Sequence, residues 1–272
     1  MTLFSNSWWA GGRRLVKMMV SCVVASFFLP PLSASGLTQF VDQTLQSGLD
    51  MSGSPSYGLS WADVNSDGWV DVHIRNHGYP PSLYRNAGWG FFEDITAQAG
   101  FDFRADFHGA SWADFDNDGD QDIYQIIGGS HGHGEKTNYL LVCQSDGPFK
   151  NIAQDAGVSD PLGRGRTPLW FDYDNNGHLD LFLANFTRPE APSRLFKNDG
   201  DKSFSDVTAQ AGLQDIGSAA GAYTADMNND GHMDLLSTGP DNTRVYLNNG
   251  DGTFMALRHF MWNFDQPMQD QL

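Results

Sequence analysis

Four stretches of this chain set oxygen-bearing side chains at alternate positions and follow them with glycine. They are Asp63, Asn65, Asp67, Gly68 and Asp71; Asp114, Asp116, Asp118, Gly119 and Asp122; Asp172, Asp174, Asn176, Gly177 and Asp180; and Asp226, Asn228, Asp230, Gly231 and Asp234. Each reads Asp-x-(Asp/Asn)-x-(Asp/Asn)-Gly-x-x-Asp. Oxygens at positions 1, 3 and 5 converge when such a loop curls around a point, and the glycine permits the sharp turn. Position 7 offers its backbone carbonyl, so its side chain is free to vary, and it does: Trp69, Asp120, His178 and His232. A donor set made only of oxygens suits Ca²⁺ over Zn²⁺, and Mg²⁺ would want a smaller, more rigid octahedron. The expectation is about four Ca²⁺ ions, one per loop, held from positions 1, 3, 5, 7 and 9.

The last acid falls at position 9. A helix–loop–helix calcium site instead places a bidentate glutamate at position 12. Position 12 here is Ile74, Gln125, Leu183 or Ser237, each inside an apolar run, which points to a strand–loop–strand frame. Two carboxylates about 4 Å apart repel by roughly 4 kcal/mol at an effective dielectric near 20. A loop without a cation is therefore expected to splay or to take up protons. Loop two carries four ligand carboxylates against three in each of the others and should bind most tightly. The competing reading is four Asx-rich hairpin turns with no ion, which their common register disfavours.

The elements around the loops repeat with them. The segments beginning at Gly58, Gly109, Thr167 and Gly221 align, and their leading aspartates are 51, 58 and 54 residues apart. After each loop comes an apolar stretch ending at a glycine turn (LYRNAG, LLVCQSDG, RLFKNDG, VYLNNG). A further stretch follows: FFEDITAQAGF, FKNIAQDAGV, FSDVTAQAGL and a degraded FMALRHF. An additional copy, FVDQTLQSGL, precedes the first unit from Phe40 and reads as an extra strand. Each unit thus holds four short runs rich in β-branched and aromatic residues between Gly, Asn and Asp turns. Four antiparallel strands per unit of about 50 residues is the pattern of a propeller blade. The expected fold is all-β: a β-propeller of four-stranded blades, four complete, with units about 50–101, 102–158, 159–213 and 214–260 in a domain spanning 36–272. It reads either as a sector of a larger ring or as an irregular small ring; an all-β sandwich is the plainer alternative.

Residues 1–35 are of another kind. They hold Arg13, Arg14 and Lys17 but no acid, then an apolar run from Met18 to Leu29, then Pro30, Pro31 and small residues. This is the order of a secretory signal, and the run is shorter than the ~20 residues a membrane-spanning helix needs. An uncleaved anchor, and a lipoprotein at Cys22, are the alternatives. Removing three bases takes the net charge from −17 to −20 and leaves Cys143 as the one cysteine, so no internal disulfide staples the exported domain. So acidic a chain lacks the basic stripe that nucleic acid or an anionic membrane would need. Contact with a membrane is expected only if the signal segment stays as an anchor.

The phrasing SWADVNSDG…LYRNAG…FEDITAQAG resembles the FG-GAP/VCBS repeat family, the calcium-loop β-propeller also found in the N-terminal head of integrin α-subunits. It is most similar to bacterial proteins related to cartilage acidic protein. The resemblance implies a secreted, periplasmic or cell-surface propeller with one Ca²⁺ per blade and a binding or adhesion role toward a protein or glycan. Rings of this family usually have seven blades, so association with further blades or subunits is a second expectation.

Catalysis finds little support. No GxSxG or HExxH motif occurs, and of the 33 acids 13 are assigned to calcium. The only glutamates are Glu93, Glu135 and Glu190. A polysaccharide lyase or hydrolase, and a structural subunit of a surface assembly, remain the alternatives to a binding module. Trp61, Trp112 and Trp170 recur at one place in three units and read as packing residues; Trp69 and Trp89 do not recur and read as exposed contacts. His131 and His133 read as part of a flexible turn, His178 and His232 as outward-pointing, and Asn185-Phe186-Thr187 as a glycosylation sequon of use only in a eukaryotic host.

Overall fold

Every described strand begins or ends at one of the Gly, Asn or Asp turns that punctuate the repeat. The computed structural model describes residues 40–49, 56–128, 137–144, 147–186, 192–239 and 243–257. Among the described residues there are sixteen strands and no helix. Blade 1 is β1 (Ser56–Ala62), β2 (Asp71–Asn76), β3 (Ser82–Asn86) and β4 (Phe92–Asp94). Blade 2 is β5 (Phe107–Ala113), β6 (Asp122–Ile127), β7 (Tyr139–Gln144) and β8 (Gly147–Asn151). Blade 3 is β9 (Gly165–Phe171), β10 (Asp180–Asn185), β11 (Arg194–Asn198) and β12 (Phe204–Asp206). Blade 4 is β13 (Gly221–Ala225), β14 (Asp234–Thr238), β15 (Thr243–Asn248) and β16 (Phe254–Ala256). Each blade is a four-stranded antiparallel sheet in simple sequential order. The signal segment and the His131/His133 run lie outside the described residues, as do Glu135, Glu190 and Thr187. Residues Met1–Asp42 form a unit of their own, of which 40–42 are described and exposed; Gln43–Leu272 form the other.

Burial explains the strand composition. The second strands β6 and β10 are buried at every residue, because each is covered on both faces by neighbouring blades. They therefore read as nearly continuous apolar runs, DIYQII and DLFLAN. Leu83, Phe101, Ile123 and Leu141 fill the junction of blades 1 and 2. Phe115, Tyr124, Leu140, Leu181 and Phe196 fill that of blades 2 and 3, and Tyr173, Phe182, Leu195, Leu235 and Tyr246 that of blades 3 and 4. Trp112 and Trp170 pack into these layers and reach back one blade. The Trp112 indole N–H donates to Ser60 Oγ at 3.0 Å, and that of Trp170 to the Ser111 carbonyl at 3.3 Å. Trp61 shares their place in the repeat but is 51% exposed, since no described blade precedes blade 1. The first strands succeed one another as β1, β5, β9 and β13, and the described blades do not close into a ring.

The extra N-terminal strand is not formed. Residues 44–48 make a hydrogen-bonded turn, as do the TAQAG-like segments after β4, β8 and β12. In each a backbone N–H bonds four residues back (Ser47 to Gln43, Ala99 to Ile95, Ala156 to Ile152, Ala211 to Val207) and a left-handed glycine ends the turn. The turn then docks on the outermost strand of the following blade: Phe92 N–H donates to Ser47 O at 2.8 Å, Phe149 to Ala99, Phe204 to Ala156 and Phe254 to Ala211. Gly48 has φ +83°, and a Cβ there would lie 2.5 Å from Phe92 O, so only glycine fits. The apolar residues of this motif suggest a strand, but its glycine and its i→i−4 bond decide for a turn.

Candidate metal centres

The four acidic loops join the first strand of each blade to the second, at one common end, and adopt one hydrogen-bonded form. The position-1 carboxylate is shared between two backbone donors. Asp63 accepts from Asp67 N at 3.1 Å and Gly68 N at 2.8 Å, Asp114 from Asp118 and Gly119, Asp172 from Asn176 and Gly177, and Asp226 from Asp230 and Gly231. The position-5 side chain accepts the position-7 N–H: Trp69 to Asp67, Asp120 to Asp118, His178 to Asn176 and His232 to Asp230. Asn65 and Asn228, at position 3, turn their amides onto Asp67 and Asp230, each at 2.8 Å. The chain passes twice through left-handed backbone, at position 4 (Ser66, Asn117, Asn175 and Asn229, φ 56–58°) and at the position-6 glycine (φ 86–94°). No atom lies within 4 Å of a Cβ built on Gly68, Gly119, Gly177 or Gly231, so it is backbone conformation and not space that demands glycine here.

Position 9 is buried throughout: Asp71, Asp122, Asp180 and Asp234 are at most 1% exposed. Their carboxylates tie the loop to the third strand. Asp71 accepts from Val64 N and Asn86 N, Asp180 from Tyr173 N and Asn198 N, and Asp234 from Met227 N and Asn248 N. Asp122 accepts from Cys143 N at 2.8 Å, but its second oxygen is buried with no hydrogen-bond partner. Burial pushes Asp122 and Asp180 up to about 7, with neighbouring loop acids adding to the rise against the pull of backbone donors. Burial raises Asp71 too.

Three acids of one loop converge most closely in loops two and three. The carboxylate oxygens of Asp114, Asp116 and Asp118, and those of Asp172, Asp174 and Asp180, lie within 4.8 Å of one another. Lysine ammonium groups meet these two clusters: Lys202, from the turn between β11 and β12, pairs with Asp116, and Lys197 with Asp174 at 2.5 Å. A cation thus already sits against the acids where they crowd. The oxygen-only donor set, the orphaned Asp122 oxygen and the raised acids all fit a divalent oxygen-seeking ion. Such an ion would be held by the position 1, 3, 5 and 9 residues.

Two groups of residues escape the motif reading. Asn86, Asn198 and Asn248 end the third strands and recur in LYRN, FKN and YLN. The Asn198 amide bonds to Leu179 O and, across the junction, to Phe115 O at 2.8 Å; that of Asn248 bonds to Met233 O and Tyr173 O. In blade 2 that place is held by Cys143, which has no amide to offer. The second group is His178 and His232, which do not simply point outward. The Asn117 amide meets His178 Nδ1 at 3.4 Å and the Asn175 amide meets His232 Nδ1 at 2.8 Å, so position 4 of one loop links to position 7 of the next. Ser66 and Asp120 occupy these places at the first junction and form no such link. A cleft of about 600 Å³ opens there between blades 1 and 2, lined by Asn65, Ser66, Asp120, Cys143, Gln144 and Phe149 among others.

The other candidates resolve as follows. Glu93 is ion-paired with Arg85. Trp69 and Trp89 are exposed, Trp89 at 91%. The sequon asparagine is buried in β10, where the Asn185 amide donates to Asp160 at 2.8 Å and to Pro192 O, so the folded chain keeps it from solvent. Cys143 is a free thiol that burial pushes up to about 11. No helix among the described residues is long and apolar enough to cross a membrane.

An FG-GAP-like repeat matches residues 38–124, 172–237 and 226–265, stretches that contain all four loops. Cartilage acidic protein 1 of Homo sapiens is 30% identical over 192 residues, 66% of this chain and 27% of that protein. The Mus musculus protein of the same name is 29% identical over 190 residues, covering 66% and 28%. The chain therefore spans about a quarter of the length of these relatives. Among solved structures, an Agrocybe aegerita lectin described as recognising non-reducing terminal N-acetylglucosamine aligns with a TM-score of 0.49 and 22% identity over 74% of this chain and 51% of that one. The V. cholerae biofilm matrix protein Bap1 aligns with a TM-score of 0.40 and 15% identity, covering 72% and 29%.

Proposed function

The chain belongs to the FG-GAP-like repeat family, and from that premise we propose that it is an exported binding module whose blades are held in register by calcium and which contacts a protein or glycan at the cell surface. The observation that carries this is the loop set: four loops of one hydrogen-bonded form, each carrying three or four carboxylates at the same end of consecutive blades. Binding Ca²⁺ to the folded chain alone would stabilise it by mass action. The cleft between blades 1 and 2 supports the binding role, because it is concave, lined by amides and acids around Phe149, and bordered by loop one. The arrangement of residues 1–35, bases then an apolar run, supports export.

Calorimetric titration of chelator-treated protein is expected to show about four Ca²⁺ sites, with loop two tightest, and Ca²⁺ should raise the melting temperature by several degrees. A chain that takes up no Ca²⁺ and melts at one temperature with chelator or with Ca²⁺ would sink the calcium reading. The binding role is tested separately by probing immobilised glycans and matrix proteins with the chain and with Gln144→Trp, which fills the cleft. Retention that the substitution leaves unchanged would remove the cleft from the proposal.

A further inference from the structure

A second cluster of metal-ligating side chains lies at the opposite end of the strands from the acidic loops and belongs to no repeat motif. His77 follows β2, and Asp106 and His108 stand at the start of β5. His77 Nε2 lies 2.6 Å from Asp106 Oδ1, His108 Nε2 lies 3.0 Å from the same oxygen, and the two imidazole centroids are 5.5 Å apart at 61°. One ligand atom from each of the three residues falls within 4.8 Å of the others. From these positions we propose that His77, Asp106 and His108 form a binding site for a borderline transition-metal dication of the Zn²⁺ class, distinct in chemistry and place from the calcium loops.

The backbone holds the three residues as a site requires. His77 and Asp106 are partners in an isolated antiparallel bridge that joins blades 1 and 2, flanked by Gly78 N–H to Ala105 O at 3.1 Å and Gly128 N–H to Asp106 O at 2.9 Å. His108 stands at a β-bulge: Phe107 pairs with Ile127 and Gly109 with Ile126, so the register shifts at His108. A bulge re-aims its side chain, here onto Asp106. An Arg75 guanidinium N–H donates to the His108 carbonyl and anchors the bulge from blade 1.

Repetition does not account for the cluster. The place of His77 is taken by Gly128 in blade 2 and Phe186 in blade 3. That of His108 is taken by Tyr57, Arg166 and Ala220. A packing role common to all junctions would recur, and this set occurs at one. Two imidazoles and one carboxylate make a three-ligand set that leaves a position open. Ligand atoms on a tetrahedral zinc are about 3.3 Å apart, given bonds near 2.0–2.1 Å, so the two imidazole nitrogens need draw back from Asp106 Oδ1 by less than about 1 Å. His77 is 41% exposed in its side chain, which gives the ion a path in and leaves room for water as the fourth ligand. Nitrogen donors make the site a poor one for Ca²⁺.

The test uses the full chain with Ca²⁺ in excess, so that oxygen-only sites are filled. Zn²⁺ titrated by calorimetry should bind at one site per chain, and Co²⁺ should give a visible d–d spectrum that Zn²⁺ quenches. His77→Ala and His108→Ala should each weaken Zn²⁺ at least about tenfold and abolish the Co²⁺ spectrum, while Ca²⁺ uptake stays as before. His77→Ala removes a part-exposed side chain; unchanged circular dichroism would show that folding is intact. The site is refuted if Zn²⁺ does not bind in excess Ca²⁺, if both variants bind as the parent does, or if binding is lost instead on changing His131 and His133 to alanine.

Discussion

At the residue scale, single side chains decide how tightly neighbouring blades are joined. Cys143 is the clearest case, because three of four blades carry asparagine at its place and two of those amides bridge to the preceding blade. Cys143→Asn should supply the matching bridge toward Val64 O, adding about 1 kcal/mol; thermal melts should show a rise of a few degrees. The reverse change, Asn248→Ala, leaves Met233 O and Tyr173 O without their donor and should cost about 1–3 kcal/mol, read as a lower midpoint in urea. His73 is buried in the first junction, beside Ser60, Gln125, Phe101 and Trp112. Burial lowers it from 6.5 to about 3, with Arg75 adding to the fall, so it is neutral in the fold. An unfolded chain binds the proton that the fold refuses. The contribution of His73 to stability should therefore be lost as pH falls below 6.5, by about 1.4 kcal/mol per unit while the folded group stays neutral. Asp122 and Asp180, raised to about 7, act in the opposite sense over this range, so the His73 effect is read as a difference: melts from pH 7 to pH 4 should show the stability of the parent relative to His73→Gln falling as pH falls.

At the scale of the element, the loop and the docking turn are the units that repeat. Both depend on left-handed glycine, but for different reasons. At Gly68, Gly119, Gly177 and Gly231 there is space for a methyl group, so alanine meets only the conformational penalty, about 1–2 kcal/mol. At Gly48 the added carbon would also strike Phe92 O. Gly48→Ala should thus destabilise more than Gly68→Ala, and hydrogen exchange at the Phe92 amide should report the loosened turn. A ranking in the other order would contradict this account. The strand pattern was readable from the repeat: alternating apolar runs between Asn and Gly turns gave blades and loops at the right places. The TAQAG-like segments were not, because their apolar content fits strand or turn alike, and the bond that seats each turn comes from a residue in the following blade.

At the scale of the whole molecule, charge and order are linked. The acids that make the chain so negative are concentrated in four loops at one end of consecutive blades, where two lysines partly offset them. Asp122 and Asp180 are raised to about 7, so a chain stripped of divalent ions should hold protons there at neutral pH, and bound Ca²⁺ should displace them. Calcium titrations at pH 7 in two buffers of different ionisation enthalpy should reveal that release, and equal apparent heats would argue against it. Loop contacts run from one blade to the next through Asn117–His178 and Asn175–His232. Ca²⁺ in one loop should accordingly slow exchange in its neighbour, an expectation that Asn175→Ala should weaken between loops three and four.

The chain alone determined the repeat, the all-β blades and the composition of the acidic cradles, because these rest on local spacing: short apolar runs between turn residues in strands, a fixed offset of oxygens and glycine in loops. Only the tertiary structure decided which side chains serve between blades. It turned the expected N-terminal strand into a docking turn, buried Asn185 away from solvent, and made His178 and His232 links between loops. It also brought His77 to Asp106 and His108 across a junction. Those outcomes depend on contacts between residues tens of positions apart, set by how one twisted sheet seats on the next, and no local spacing encodes that distance.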